Sequence, residues 1–235
     1  MKTVLITGCS TGFGREIAEH FLEAGWSVVA TMRDPAANTL AAGDRLRVLP
    51  LDVTDSDSIA GAVAPAGPID VLVNNAGIGW LNAIEGTPLE TAQDIFAVNV
   101  FGTVAMMQAV LPGMRERGSG AIVNVGSSST LKPLPLLSIY RASKAAVNAL
   151  TESAAFELAQ FGIRACVVLP GMAPSTSFAS SAYQRIAAAG NFPQPYQTYA
   201  ETTLAAMQDA AQGDLTTAQD VAQAVYRAAT DPACP

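Results

Sequence analysis

Tyr140 and Lys144, four residues apart in Tyr140-Arg-Ala-Ser-Lys144, are the pair whose types and spacing best suit proton transfer. At the start of a helix that spacing puts both side chains on one face. A free tyrosine, with a pKa near ~10, is a poor base at neutral pH. A cation held beside it favours the phenolate, so the pair could give or take a proton at a carbonyl or alcohol oxygen. By itself the spacing is equally that of an ordinary surface pair. Rival chemistry is short of residues. His20 is the only histidine, expected on a solvated helix face, and Cys9, Cys166 and Cys234 show no paired spacing. A zinc site and a Ser-His-Asp triad are therefore not expected, and no metal is assigned.

The second constellation is Thr7-Gly-Cys-Ser-Thr-Gly-Phe-Gly14, between an opening apolar run and a helical pattern. Glycines allow a tight turn and a close backbone approach to a pyrophosphate, and the helix start offers free N–H groups to it. Three glycines alone would serve a structural turn as well; between a first strand and a first helix they read as a nucleotide loop. Gly8, Ser10, Thr11, Gly12, Phe13 and Gly14 are the expected contacts. After the second apolar run, Met32 stands where an NAD-selective site would carry a carboxylate, and Arg33 follows. A guanidinium there suits a ribose 2′-phosphate, so NADP(H) is the expected cofactor, with NAD(H) as the alternative. Asp34 is close enough that a register shift of two would reverse that choice, and Arg33 could also be a solvated side chain.

The elements that must position these residues alternate along the chain. Strands are expected at Thr3–Thr7, Ser27–Met32, Leu46–Leu51, Val71–Asn74, Ala121–Val125 and Ala165–Leu169. Helices are expected at Gly14–Ala24, Ser56–Val63, Leu89–Arg117, Ile139–Gln160 and Thr217–Thr230. Continuous apolar strands between amphipathic helices make an α/β doubly wound fold, a mostly parallel sheet with helices on both faces. At 235 residues, 50% hydrophobic and 14% charged, the chain suits one ordered domain, 1–235. Residues 172–213 interrupt the rhythm with prolines and aromatics, as a substrate lid or as a packed excursion of short helices. A net charge of −7 argues against a nucleic-acid partner. No apolar run is read as approaching the ~18 residues of a membrane helix, so a cytoplasmic protein with reduced thiols and no membrane partner is expected.

With the glycine loop, Asn74-Asn-Ala-Gly77 and Tyr140-Arg-Ala-Ser-Lys144 in this order, the chain resembles the short-chain dehydrogenase/reductase family from about residue 2 to 230. Ile6-Thr-Gly-Cys-Ser10 and Ala30-Thr-Met-Arg-Asp34 resemble its hydroxysteroid and retinol dehydrogenase branch. The resemblance implies a Rossmann fold and hydride transfer between nicotinamide and a carbonyl or alcohol. It implies that Ser127, thirteen residues before Tyr140, donates to the substrate oxygen, although Ser128 and Ser129 adjoin it. Lys144 would bind the nicotinamide ribose, and Asn99 would disturb its helix and hold a water leading to Lys144. Asp52 and Val53 would meet the adenine, Asn75, Ala76 and Gly77 the adenosine ribose, and Pro170 and Gly171 the carboxamide. Ser175 or Thr176 would stand where the family has a threonine. The family's final strand is missing or truncated, and homodimers or homotetramers through the fourth and fifth helices are implied. The substrate is expected to be a mostly apolar small molecule, from Met172, Phe178, Tyr183, Phe192, Tyr196 and Tyr199, residues that could equally be lid packing. A catalytically silent dinucleotide-binding regulator and an epimerase or dehydratase are the alternatives; the first should lack Ser, Tyr or Lys, the second should have a different glycine spacing.

Overall fold

The apolar runs become strands in the computed structural model of the chain, which describes residues 1–173, 178–188, 190–210 and 215–234. They are β1 (Thr3–Thr7), β2 (Ser27–Met32), β3 (Leu46–Pro50), β4 (Val71–Asn74), β5 (Gly120–Val125) and β6 (Ile163–Val168). All neighbours pair in parallel, in the order β3-β2-β1-β4-β5-β6. Among the described residues the sheet ends on β6. Successive side chains of a strand point to opposite faces, so β1 sends Val4 and Ile6 into one core and Leu5 into the other. Both faces are apolar because both are covered.

On the first face lie α1 (Gly12–Glu23) and α8 (Ala218–Thr230). Ile17, Ala18 and Phe21 form one stripe of α1; Val221, Ala222, Val225 and Ala228 form that of α8. Fully burying Phe21 or Ile17 contributes roughly 1.5–3 kcal/mol each. The rings of Phe21 and Tyr226 meet edge to face at 5.1 Å. His20, expected in solvent, is half-buried and packs edge-on against Tyr226.

The second face carries α2 (Ser56–Ala66), α4 (Gly102–Arg117) and α5 (Ser138–Ala159), with Met106, Met114 and Leu158 against Leu72 and Ile122. Asp55 caps α2 by accepting from Asp57 N and Ser58 N. Helix α3 (Leu89–Phe96) runs into α4 through a π-turn, Ala97–Phe101, giving one unbroken helix from Leu89 to Arg117. By length and composition that helix could cross a membrane, with mean hydropathy 1.7 over its most apolar window, which corrects the expectation that no run approaches this size. Here Ile95, Asn99, Met106, Val110 and Met114 of it are buried within the fold.

The described part of 172–213 is helical and packed. Helix α6 (Phe178–Ala188) puts Ile186 against Trp80 and Ile95, and α7 (Gln197–Ala210) puts Ala200 beside Ala83 and Leu136.

Where β1 meets α1 the backbone is packed to contact. A Cβ on Gly14 would collide with the Gly8 carbonyl and lie 2.5 Å from Asn75 Nδ2. We expect Gly14→Ala to lower stability by about 2–3 kcal/mol, because the obstacle is backbone and the loop cannot yield. For a chain of this size that is a fall in Tm of roughly 5–10 °C by calorimetry. An unchanged Tm would mean the loop is not held as tightly as its contacts indicate.

Candidate active site

In a doubly wound sheet the strand order reverses at one point, and the crevice there lies beyond the carboxyl ends of the strands. Here the reversal falls between β1 and β4, and a cavity of about 1280 Å³ opens at those ends. It runs from Gly12 and Arg33 at one extreme to Tyr140, Met172 and Ile186 at the other.

The near end is built by the glycine loop. Gly8 and Gly12 take left-handed φ of 75° and 60°, which a side chain would strain. Helix α1 begins at Gly12, two residues before the sequence reading, with no side-chain cap bond from Thr11 and no acidic residue in its first turn. Its starting amides thus suit an anion. The loop is tied to β4 by Thr7, whose Oγ1 accepts from Asn75 N (3.0 Å) and Ala76 N (2.9 Å). Asn75 Nδ2 donates in return to the Thr7 and Gly8 carbonyls, both at 3.0 Å. Thr7 was not singled out in the sequence, since its partners lie nearly seventy residues away.

At the far end Tyr140 and Lys144 lie on the first turns of α5, both lining the cavity and both buried. Lys144 Nζ donates to Val125 O at 2.8 Å. Burial pulls its pKa down to about 8. Burial likewise pushes Tyr140 up to about 12, opposed by a hydrogen bond with Ser127. The expectation that Lys144 lowers the tyrosine is therefore not met with protein groups alone, because desolvation outweighs any nearby charge. Ser127 follows β5 and lines the cavity; the neighbouring Ser129 hydroxyl is buried and has no hydrogen-bond partner among the described residues. Of the three serines, Ser127 is the one bonded to the tyrosine.

Asn99 sits inside the π-turn, 1% exposed, and does not line the cavity. Its Oδ1 accepts from Ile78 N (2.8 Å), and its Nδ2 donates to Ile78 O and Ser143 Oγ, both at 3.0 Å. Ser143 Oγ in turn donates to Tyr140 O at 2.7 Å. Asn99 thus braces the first turn of α5 from behind, and Ser143 is a link that sequence reading missed. Gly14 likewise lies behind the cavity wall.

Gly8, Ser10, Thr11, Gly12, Phe13, Asn75, Ala76, Gly77, Pro170 and Gly171 all line the cavity, as do Arg33, Asp52 and Val53. Arg33 directly follows β2, while Asp34 turns aside to accept from Ala36 N at 2.9 Å. Asp52 folds onto Thr54, whose hydroxyl and N–H hold its carboxyl below the usual range, with a smaller effect from the nearby Arg33 charge. Ser175 and Thr176 lie outside the described residues. Trp80, Leu131, Leu134, Leu137, Met172 and Ile186 make the remaining wall mostly apolar. Of the aromatic residues expected there, Phe192 and Tyr196 pack in small clusters near Trp80 and Ala83, and Tyr199 is exposed.

A family model described as short chain dehydrogenase matches residues 2–187. The chain belongs to the short-chain dehydrogenase family. Its relatives include human retinol dehydrogenase 8, 42% identical over 181 residues, covering 72% of this chain and 58% of that one. Human 17-beta-hydroxysteroid dehydrogenase type 1 is 41% identical over 179 residues, 70% of this chain and 55% of that one. The chain thus spans less than two thirds of either relative. Among solved structures, a 3-ketoacyl-(acyl-carrier-protein) reductase from Brucella melitensis complexed with NADH aligns at TM-score 0.82 and 28% identity, covering 98% of this chain and 91% of that one. A serine dehydrogenase complexed with NADP+ aligns at 0.80 and 30%, covering 95% and 87%. Short-chain dehydrogenase structures similar to this chain hold either nicotinamide cofactor.

The Lys144 shift carries a pH signature. The unfolded chain holds the lysine proton up to the usual 10.5, whereas the folded protein releases it near 8. Between those values the unfolded state binds more protons, so stability rises with pH. Cys9, whose thiol burial raises to about 12, acts in the opposite sense above its ordinary value. We therefore expect the difference between the protein and Lys144→Met to move in favour of the native chain by on the order of 3 kcal/mol from about pH 7.5 to 10.5. Urea denaturation across that range measures it; a constant difference would place the ammonium in solvent.

Proposed function

We propose that the protein is an NADP(H)-dependent oxidoreductase that moves hydride between nicotinamide and the carbonyl or alcohol group of a mostly apolar small molecule. The observation that carries this is one cavity with the glycine loop and the start of α1 at one end and Ser127 with the buried Tyr140 and Lys144 at the other. The residues fit a dinucleotide: loop glycines with left-handed φ, the first-turn amides of α1 for the pyrophosphate, and a wall of Asn75, Ala76 and Gly77. Bound there, the nicotinamide supplies or accepts the hydride.

The chain's own groups manage the proton and the charge. Ser127 donates a hydrogen bond to the substrate oxygen as negative charge builds on it. Tyr140 gives that oxygen its proton in reduction and takes it in oxidation. With its pKa raised by burial, the phenol is held in the protonated form that gives the proton in reduction. Lys144 holds the ribose hydroxyls and, carrying its charge, eases formation of the phenolate. Asn99 keeps this helix turn in place through Ser143. The apolar wall excludes water from the reacting oxygen, and α6, whose Ile186 lines the cavity, acts as lid. Phe156 on α5 and Phe101, which ends the π-turn before α4, are 86% and 65% exposed and support self-association through these helices.

NADP(H) is preferred because Arg33 is on the cavity wall while Asp34 is engaged in its own turn. A charge-assisted contact worth ~1.5–3 kcal/mol is about 10- to 150-fold in affinity. We expect NADPH to bind at least about tenfold tighter than NADH, and Arg33→Ala to weaken NADPH far more than NADH in fluorescence titrations. Equal losses would remove Arg33 from the phosphate site.

Following NADPH absorbance with decanal, cyclohexanone, menthone and phenanthrenequinone tests the reaction class. We expect Tyr140→Phe to keep NADPH affinity and lose turnover by far more than tenfold. Turnover within about tenfold, ~1.4 kcal/mol of barrier, would give the acid's role to another group.

A further inference from the structure

Ser127 works only if its hydroxyl is aimed at the oxygen that Tyr140 also serves; within its turn that hydroxyl accepts from Ser129 N at 3.2 Å, while Thr130 N and Leu131 N bond back to Ser127 O and Ser128 O. Ser127 is extended, and Ser128–Thr130 is a single 3-10 turn. Such a turn is too short to satisfy its own last carbonyls. Arg141, the residue beside Tyr140, supplies the missing donors: its Nε reaches Ser129 O at 2.8 Å and its Nη2 reaches Thr130 O at 3.2 Å. Seven residues further along α5, Asn148 Nδ2 donates to Thr130 Oγ1 at 3.0 Å, and that hydroxyl donates to Ser127 O at 2.8 Å. On the opposite side Ser128 N is held by Pro170 O at 2.9 Å.

We propose that Arg141 is a positioning residue for Ser127. Its guanidinium fork spans two consecutive carbonyls and so locks the serine turn to the helix that carries Tyr140. The donors that act on the substrate oxygen then move as one body. A lysine at 141 has a single ammonium on a flexible stem and cannot make the side-on pair of bonds. Arg141 makes no ion pair among the described residues, so its charge is directed at backbone oxygens rather than at a carboxylate. This assignment rests on the reading of Ser127 given above.

Its test is a double-mutant cycle between Arg141→Met and Ser127→Ala, read by NADPH turnover with decanal and by NADPH titration. We expect Arg141→Met to lower kcat by about tenfold or more while NADPH affinity stays within about twofold. In the Ser127→Ala background the same change should cost less than about twofold, because the group it positions is gone. Arg141→Lys should recover less than about threefold of the loss. Thr130→Val, which removes the bond to Ser127 O but keeps both Arg141 bonds, should show its own loss with the same non-additivity; if Arg141→Met fails to fold, Arg141→Lys measured in both Ser127 backgrounds decides the matter. Unchanged kcat in Arg141→Met, or an equal loss in both backgrounds, overturns the proposal. Full turnover in Ser127→Ala alone overturns the role of Ser127 itself, and the proposal falls with it.

Discussion

A lysine ammonium and a tyrosine hydroxyl, one helical turn apart on α5, sit in a region from which water is largely excluded, and much of the molecule serves to keep them there. Lys144 and Tyr140 are 6% and 8% exposed, and Val125 O, at the end of a central strand, accepts from the lysine. Burial drives each group toward its neutral form, the lysine down to about 8 and the phenol up to about 12. Burial alone therefore disfavours the phenolate; on the function proposed above, a bound cofactor would bring in charge and hydrogen-bonding groups that favour it, coupling proton chemistry to cofactor binding.

The rest of the architecture holds that site from three sides. The parallel sheet ends its central strands at one level, so Val125, Gly126 and the serine turn emerge beside Asn75 and Gly77. The π-turn inserts Asn99 behind α5, where its amide joins Ile78 to Ser143. The Thr7–Asn75 exchange locks the glycine loop to β4, with backbone so close that glycine is required at position 14. A buried chain of amides, Asn74 to Asn124 at 2.9 Å and Asn124 to Thr151 at 2.8 Å, ties β4 and β5 to the same helix.

Much of this was legible in the residues. Five of six strands were readable to within a residue at both ends because most are covered on both faces and hence largely apolar. Strand β6 starts two residues earlier than expected because Arg164, a charge in an apolar run, lies in it; its guanidinium binds the carbonyls of Ala228, Ala229 and Asp231 at the end of α8. Helix α1 starts earlier than expected because its glycines read as loop. Tyr140 and Lys144 were singled out by spacing, Ser127 through the family resemblance and Asn99 as an amide in an apolar helix; the first three line one cavity and Asn99 lies behind it. Thr7, Arg141 and Ser143 were not, since each acts through partners brought near only by the fold. Burial is also absent from a string of letters, so the direction of the tyrosine shift was misjudged.

The coupling of this buried pair to cofactor binding is best examined at the tyrosine itself. Ultraviolet difference spectra between the protein and Tyr140→Phe, recorded against pH with and without saturating NADP+, report the Tyr140 phenolate alone. Without NADP+ the phenolate should be absent until pH approaches about 12. With NADP+ bound it should appear below about pH 9, as positive charge and hydroxyl groups enter the cavity. Onset at the same pH in both titrations would contradict the account.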